Sequence, residues 1–336
     1  MLLADIVVGI QHGDEGKGKV SNCLCKDNDY DLCVRFNGGP NAGHTIYVNE
    51  TKIVLHQIPI GIIYGIRCLI GPTCVLDCRK LEEELTLLEK SGFENVRKML
   101  YISYNVHTIE EKHIQSDINN NKVGTTCSGI GPTYTDKYAR CGNRLKEVNE
   151  ICGCRVIDPL GLLYSGEVKN IFMEGAQGFE LDIDWGDYPY VTSSSCLSGA
   201  STLTGISPKC ISKIYGVAKI YETYVGSKKF GNPDDNNLQR LQKLGNEYGA
   251  TTGRVRKCNW LNLYRLRRAI LVNGVTHLII NKCDVMELLG KFNLYNIKNE
   301  LMSFGSLQEM KDYIRKSLRN LETLEDIAFS SSKYTI

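Results

Sequence analysis

Ile6-Val7-Val8-Gly9-Ile10-Gln11-His12-Gly13-Asp14-Glu15-Gly16-Lys17-Gly18-Lys19 runs from a short apolar strand straight into a charged, Gly-rich turn. Glycines let a backbone approach phosphate oxygens closely, and Lys17 and Lys19 supply positive charge. Asp14 does not belong in a simple anion cradle. A carboxylate beside a phosphate is repulsive unless it holds a metal or moves a proton, so the stretch points to phosphoryl chemistry. It is not a Walker A loop, Gly-x-x-x-x-Gly-Lys-Ser/Thr: Gly13 stands too near Gly16-Lys17, and Gly18 follows the lysine. Alone, the turn would also suit a solvated surface loop; the rest of the chain decides against that.

Working outward, apolar β-rich runs recur at 6–10, 32–36, 53–58, 68–70, 100–103, 171–173, 214–221 and 277–280. Helical patterns fall between and after them, at 80–90, 238–244, 260–271 and 307–318. In the first of these, Leu81, Leu85 and Leu88 share one face, and Ser91-Gly92 ends it. This alternation predicts an α/β fold with a large, mostly parallel central sheet flanked by helices, like that of P-loop NTPases, with elaborated loops. We expect one domain over 1–336, because no repeat or long linker breaks the pattern. The polar stretches 119–122 and 228–237 read as mobile loop tips.

The 336 residues suffice for a large core. The net charge of +2 gives no basic field that would argue for nucleic acid. No apolar run approaches the roughly 20 residues that span a bilayer, and the N-terminus lacks the pattern of a signal peptide. We therefore expect a cytoplasmic protein. Fourteen cysteines without a Cys-x-x-Cys pair read as reduced thiols, most of them small core residues, rather than as a zinc site.

Five further loops carry polar chemistry. Asn37-Gly38-Gly39-Pro40-Asn41-Ala42-Gly43-His44-Thr45 follows a strand, where α/β sheets bind ligands, and His44 is a candidate proton donor. Asn281-Lys282-Cys283-Asp284 reads Asn-Lys-x-Asp, the guanine-recognition pattern of GTPases. An aspartate can accept from both the N1–H and 2-amino donors of guanine, and adenine has neither there. Gly249 to Lys257 carries Arg254 and Arg256, spaced to clamp a carboxylate or phosphate. The stretches Gly124 to Pro132 and Glu174 to Gly178, the latter with Tyr188 to Ser194, add hydroxyls, amides and glycines suited to phosphate and sugar.

In this order the loops resemble the adenylosuccinate synthetase family. Gly-Asp-Glu-Gly-Lys-Gly-Lys stands intact at 13–19, Asn-Ala-Gly-His-Thr at 41–45 and Glu-Gly-Ala-Gln-Gly at 174–178. Tyr-Pro-Tyr-Val-Thr-Ser-Ser stands at 188–194 and Gly-Ala-Thr-Thr-Gly-Arg at 249–254. The resemblance implies a ligase that joins L-aspartate to IMP with GTP, giving adenylosuccinate, GDP and phosphate through a 6-phosphoryl-IMP intermediate.

It also implies roles. Asp14, Lys17, His44 and Gln177 would be catalytic. GTP would contact Gly13, Asp14, Glu15, Gly16, Lys17, Gly18, Lys19, Gly43, His44, Thr45, Arg256, Lys282, Cys283, Asp284 and the tail serines Ser330, Ser331 and Ser332. IMP would contact Asp14 to Lys17, Asn41, Ala42, Gly43, His44, Thr126, Gln177, Thr192 and Arg254. Arg140 would reach the IMP phosphate of a neighbouring subunit, which implies a homodimer. Aspartate would lie on Thr251, Thr252, Gly253, Arg254, Val255, Arg256 and Lys257. Mg²⁺ would be held by the Asp14 carboxylate and the Gly43 carbonyl.

The chain also departs from the family. Cys127-Ser128 replaces a common Gly-Arg, 228–237 lacks the usual Gly-Pro-Phe-Pro-Thr loop, and the C-terminus is abbreviated. A related phage branch makes 2-aminoadenylosuccinate from dGMP with ATP, and usually has serine at the position of Asp14. Asp14 and the Asn-Lys-x-Asp pattern favour IMP and GTP here. A non-catalytic GTP-binding module is a further alternative, but it would not need the arginine clamp.

Overall fold

The computed structural model describes residues 2–48, 51–120, 123–249 and 253–336. Among them, ten strands form one sheet: β1 (Leu3–Gly9), β2 (Leu32–Arg35), β3 (Arg67–Ile70), β4 (Leu100–Ser103), β5 (Glu150–Ile151), β6 (Cys154–Ile157), β7 (Asn170–Glu174), β8 (Ile211–Lys219), β9 (His277–Asn281) and β10 (Asp326–Phe329). Their spatial order is β10-β9-β8-β1-β7-β2-β3-β4-β6-β5. Every neighbouring pair is parallel except β6 with β5.

The central strands are mostly apolar because both faces of the sheet are covered; the charged Arg35, Glu174 and Lys219 stand at the C-terminal ends of β2, β7 and β8. Successive side chains alternate between two cores. Ile6, Met173, Val34 and Leu69 are register neighbours on one face. Val7, Cys33, Phe172 and Ile70 pack into the other. Nine of the fourteen cysteines are buried, as small core residues.

The helices α1 (Lys17–Asp27), α2 (Cys78–Lys90), α5 (Asn236–Leu244), α6 (Leu263–Asn273), α7 (Cys283–Leu289) and α8 (Leu307–Leu318) contribute buried residues to these two cores, whereas α3 (Glu111–Asn119) and α4 (Ile130–Ala139) pack on each other in a smaller cluster beside them. Asp77 begins α2 as an N-cap, accepting from the N–H groups of Arg79 and Lys80. No helix among the described residues is long and apolar enough to cross a membrane.

Seven of the eight expected strands lie in this sheet, and the run at 53–58 does not. Thr51–Leu55 instead pairs antiparallel with His44–Val48, in a hairpin whose Ile46, Ile53 and Leu55 pack onto the second core. The pattern at 260–271 also divides. Trp260 belongs to a strand, Lys257–Asn262, and α6 starts only after Asn262, whose Oδ1 caps the N–H of Arg265 at 3.0 Å. After β8 the chain bends into Tyr221–Tyr224, the edge of a four-stranded sheet continued by Lys257–Asn262, Phe292–Tyr295 and Leu301–Phe304.

The start of the 228–237 stretch is anchored, not a free tip. Lys228 is buried and pairs with Asp187 at 2.7 Å, and Phe230 packs edge-on against His12. Of the 119–122 stretch, Asn121 and Lys122 lie outside the described residues.

Candidate active site

Four parallel strands, β1, β2, β7 and β8, deliver their C-terminal loops to one cavity of about 430 Å³. Ligand sites of open α/β sheets form at this edge. The loop after β1 is wound by left-handed residues: Gly13 at φ 84°, Asp14 at φ 57° and Gly16 at φ 96°. Glycine at 16 is required twice over, by that φ and by Asn281 Nδ2, which a Cβ would meet at 2.9 Å. α1 then begins at Lys17, so its unpaired N–H groups border the cavity.

Glu15 does not face the cavity. Its carboxylate is turned inward and accepts from the N–H groups of Gln11 and Gly13 and from Lys17 Nζ at 2.6 Å. It braces the loop and does not line the cavity. Lys17 lines the cavity but is buried, tied to Glu15 and to the Gln177 carbonyl.

His44 opens the hairpin that follows the β2 loop. Its Nδ1 contacts Oε1 of Glu174, the last residue of β7, and Arg35 Nη2 donates to the same oxygen at 2.7 Å. Arg35 and Glu174 are register neighbours on β2 and β7, so the sheet itself fixes this arrangement. Burial would raise Glu174, but Arg35 and His44 outweigh it and hold the carboxyl at about 2. Burial and then Arg35 lower His44 to about 4. An ionised Glu174 requires Nδ1 to carry hydrogen, which leaves Nε2 to exchange the second proton. In the sequence Glu174 only opens the Glu-Gly-Ala-Gln-Gly stretch, with no sign of this role.

Asp14 is half-exposed at the cavity, and its Oδ2 accepts from Arg256 Nε at 2.8 Å. Arg256 Nη1 reaches back to Glu247 at 2.6 Å. Arg254 also lines the cavity and donates from Nη1 to the Gly124 carbonyl at 2.8 Å, joining two of the loops. Asp117, which the sequence did not single out, organises the 123–129 loop: it accepts from Thr125 Oγ1 at 2.8 Å and from the Gly129 N–H at 2.9 Å. Gln177 donates from Nε2 to Asn41 Oδ1 at 3.1 Å, and Asn41, Ala42, Gly43, Thr45, Thr126 and Thr192 line the same cavity.

The expected guanine contacts form a neighbouring cluster rather than part of this cavity. Asn281 ends β9 and donates from Nδ2 to the Glu15 carbonyl at 2.9 Å, joining that cluster to the phosphate loop. Lys282 donates to the Gly245 carbonyl at 3.0 Å, and Asp284 is exposed in the first turn of α7. Cys283 is buried and takes the Ser330 carbonyl on its N–H. Lys19 borders the cavity, yet its ammonium serves the tail, donating to Ser330 Oγ at 2.7 Å and to the Ser332 carbonyl at 3.0 Å.

Several expected residues lie elsewhere. Arg140 is an exposed, left-handed C-cap of α4 and does not line its own chain's cavity. Val255 and Lys257 point away, the latter donating to the Lys228 carbonyl at 2.6 Å. Gly253 has a left-handed φ of 64°. Thr251 and Thr252 lie outside the described residues.

Comparison with known proteins agrees with this geometry. The family described as adenylosuccinate synthetase matches residues 6–155 and 162–325. Adenylosuccinate synthetase of Pelodictyon phaeoclathratiforme is 40% identical over 337 residues, covering 84% of this chain and 77% of that protein. The Geobacter sulfurreducens enzyme of the same name is 39% identical, with 84% and 77% covered. The fully ligated adenylosuccinate synthetase of Plasmodium falciparum superposes with a TM-score of 0.84 at 27% identity, covering 98% of this chain and 97% of that one. A cyanophage S-2L succinoaminodeoxyadenylate synthetase bound to dGMP and dATP superposes with a TM-score of 0.79 at 21% identity over 99% of this chain and 93% of that one, a likeness of fold alone. Identity over most of the chain and the order of the cavity loops lead to one assignment: this chain belongs to the adenylosuccinate synthetase family.

Proposed function

We propose that the chain ligates L-aspartate to IMP at the expense of GTP, giving adenylosuccinate, GDP and phosphate, a step of purine nucleotide biosynthesis. The observation that carries this reading is the meeting of Asp14, His44, Arg254 and Arg256 at one cavity, linked by Asn281 to a guanine-type recognition motif.

In this reading Asp14 takes the N1 proton of IMP, which makes the 6-oxygen nucleophilic. That oxygen attacks the γ-phosphorus of GTP, and the bond to the β–γ bridging oxygen breaks. His44 stabilises the departing GDP by donating from Nε2. With its pKa lowered to about 4, His44 is neutral at pH 7. The nucleotide's anionic phosphates raise that value as they bind, and Glu174 stabilises the imidazolium that results. The amine of aspartate then displaces the 6-phosphoryl group as phosphate, and its proton is released.

Lys17 neutralises phosphate charge. Gln177, Asn41, Thr126 and Thr192 hold IMP, Arg254 lies between IMP and aspartate, and Thr251 and Thr252 belong to the aspartate loop. Lys282, Asp284 and the serines at 330–332 read guanine. Arg140, exposed and turned from its own cavity, serves the IMP phosphate of a second copy in a homodimer.

The residues at the mouth fit Mg²⁺, a hard cation that takes oxygen ligands and binds through one or two carboxylates plus phosphates. The half-exposed Asp14 carboxylate and the Gly43 carbonyl, both at the cavity, would hold it. When bound, the ion offsets the charge gathering on the transferring phosphoryl group. Asp14 and the Asn-Lys-x-Asp loop favour IMP and GTP over dGMP and ATP. Asp14, His44 and Arg254, all at the cavity, favour a catalyst over a GTP-binding module. We read the chain as one cytoplasmic domain.

The experiment is Asp14→Ala. Turnover is expected to vanish while the circular dichroism spectrum and melting cooperativity remain those of the parent. Parent-like turnover in the purified variant would contradict the mechanism.

A further inference from the structure

Glu247 and Arg256 close the neck of the loop that carries the expected aspartate ligands. Their backbones pair, with the Arg256 N–H donating to the Glu247 carbonyl at 2.9 Å, and Tyr248 and Val255 bridge just above them. Their side chains pair as well, Arg256 Nη1 to Glu247 Oε2 at 2.6 Å.

Glu247 is fully buried, 0% exposed. Lys219 Nζ reaches both of its oxygens, at 2.9 and 2.8 Å, and the Tyr221 hydroxyl donates to it at 2.7 Å. Lys219 is itself buried, at the end of β8, where its backbone N–H and carbonyl are both held by the Gln11 side chain. The anchor therefore rests on the central sheet and on the chain leading into the phosphate loop. Burial would raise Glu247, but Lys219 and Arg256 outweigh it and keep the carboxyl ionised.

Arg256 is thus held at two points of unlike character. One arm grips a buried, sheet-anchored carboxylate; the other, Nε, lies on the half-exposed carboxylate of Asp14. A guanidinium is a rigid fork, so fixing one arm fixes the arc in which the other can move. The charges balance as they stand: Lys219 and Arg256 against Glu247 and Asp14. Once Asp14 turns to substrate or metal, the group is left with one net positive charge at the cavity, where anionic ligands bind.

We propose that Glu247, charge-balanced by Lys219, is a positioning residue of the reaction. It holds Arg256 by one arm while the other passes from Asp14 to the anionic groups of GTP and aspartate. This inference rests on the functional reading above and adds to it a residue that touches no substrate.

The test is Glu247→Gln, which keeps size and hydrogen bonding but removes the charge. KM for GTP and for aspartate should each rise about tenfold or more, and GTP affinity measured by calorimetry should fall in parallel. IMP affinity in the same calorimeter should stay within about twofold, since a residue that only stabilised the fold would not separate the ligands. In Arg256→Lys the charge stays but the fork is gone, so adding Glu247→Gln to it should cost little more. Unchanged KM values and GTP affinity, equal weakening of all three ligands, or full additivity with Arg256→Lys would overturn the proposal. If Glu247→Gln does not fold, Tyr221→Phe removes one hydrogen bond from the same carboxylate; it should raise both KM values about threefold, and no change would overturn the proposal. A parent protein that fails to turn over IMP, aspartate and GTP contradicts the functional reading instead. GTP affinity in the variants still tests the positioning role in that case.

Discussion

The side chain of Asn281 donates to the main-chain carbonyl of Glu15 at 2.9 Å, so the residue that opens the guanine-type motif also supports the phosphate loop. In the proposed function this bond mechanically joins recognition of the base to placement of the phosphates. Asn281→Ala is expected to raise KM for GTP about tenfold, the cost of a lost buried hydrogen bond, with IMP affinity little changed. Steady-state kinetics with each substrate varied in turn checks this.

Base selectivity is expected to rest on Asp284, exposed at the start of α7. Asp284→Asn replaces one acceptor oxygen with a donor, so one guanine N–H loses its partner. The ratio of kcat/KM for GTP to that for ATP should fall by about tenfold or more. An unchanged ratio would place guanine recognition elsewhere.

His44 and Glu174 are expected to act together. His44→Asn should lower kcat by about a hundredfold or more, the usual scale of general acid catalysis. Glu174→Gln should lower kcat in the same direction, because the neutral amide no longer stabilises the imidazolium. Rapid-quench measurement of GTP cleavage with IMP present reads both. An unchanged cleavage rate in His44→Asn would remove it as the donor.

Much of this was legible in the sequence, for identifiable reasons. The buried parallel strands announce themselves as apolar runs, and the loop that borders the cavity as glycines and lysines after the first of them. What sequence could not supply were partners joined through the sheet. Glu174 meets His44 and Arg35 because β7 and β2 are neighbours, although 130 and 139 residues separate it from them. Asp117 carried no signal, being one acid within an amphipathic helix. Glu247 stands two positions before a recognised motif, and its buried partner Lys219 lies 28 residues away at the end of β8. The smaller sheet was missed because Phe292–Tyr295 and Leu301–Phe304 are short and largely only partly buried, so they lack the continuous apolar run of the central strands.

Arg140 tests assembly. Arg140→Leu and Asp14→Ala proteins should each be inactive alone, and mixing them should restore part of the activity through hybrid dimers with one complete site. No recovery after verified subunit exchange would speak against a shared site.

Glu222 offers a test in pH. It is fully buried, and burial raises its carboxyl from 4.5 to about 8. The native chain keeps this proton where the unfolded chain has released it. Its contribution to stability is therefore complete below about pH 4.5 and is lost as pH rises through about 8. Glu222→Gln cannot ionise, so the fall in melting temperature between about pH 6 and about pH 8 should be shallower than in the parent. Parallel curves would show that Glu222 does not titrate there.

The most direct test of the account is a crossed assay of the purified protein with Mg²⁺ and L-aspartate, pairing IMP or dGMP with GTP or ATP. Adenylosuccinate and phosphate should form with IMP and GTP at a kcat/KM well above that of any other pairing. Turnover confined to dGMP with ATP, or no turnover with any pairing, would contradict it.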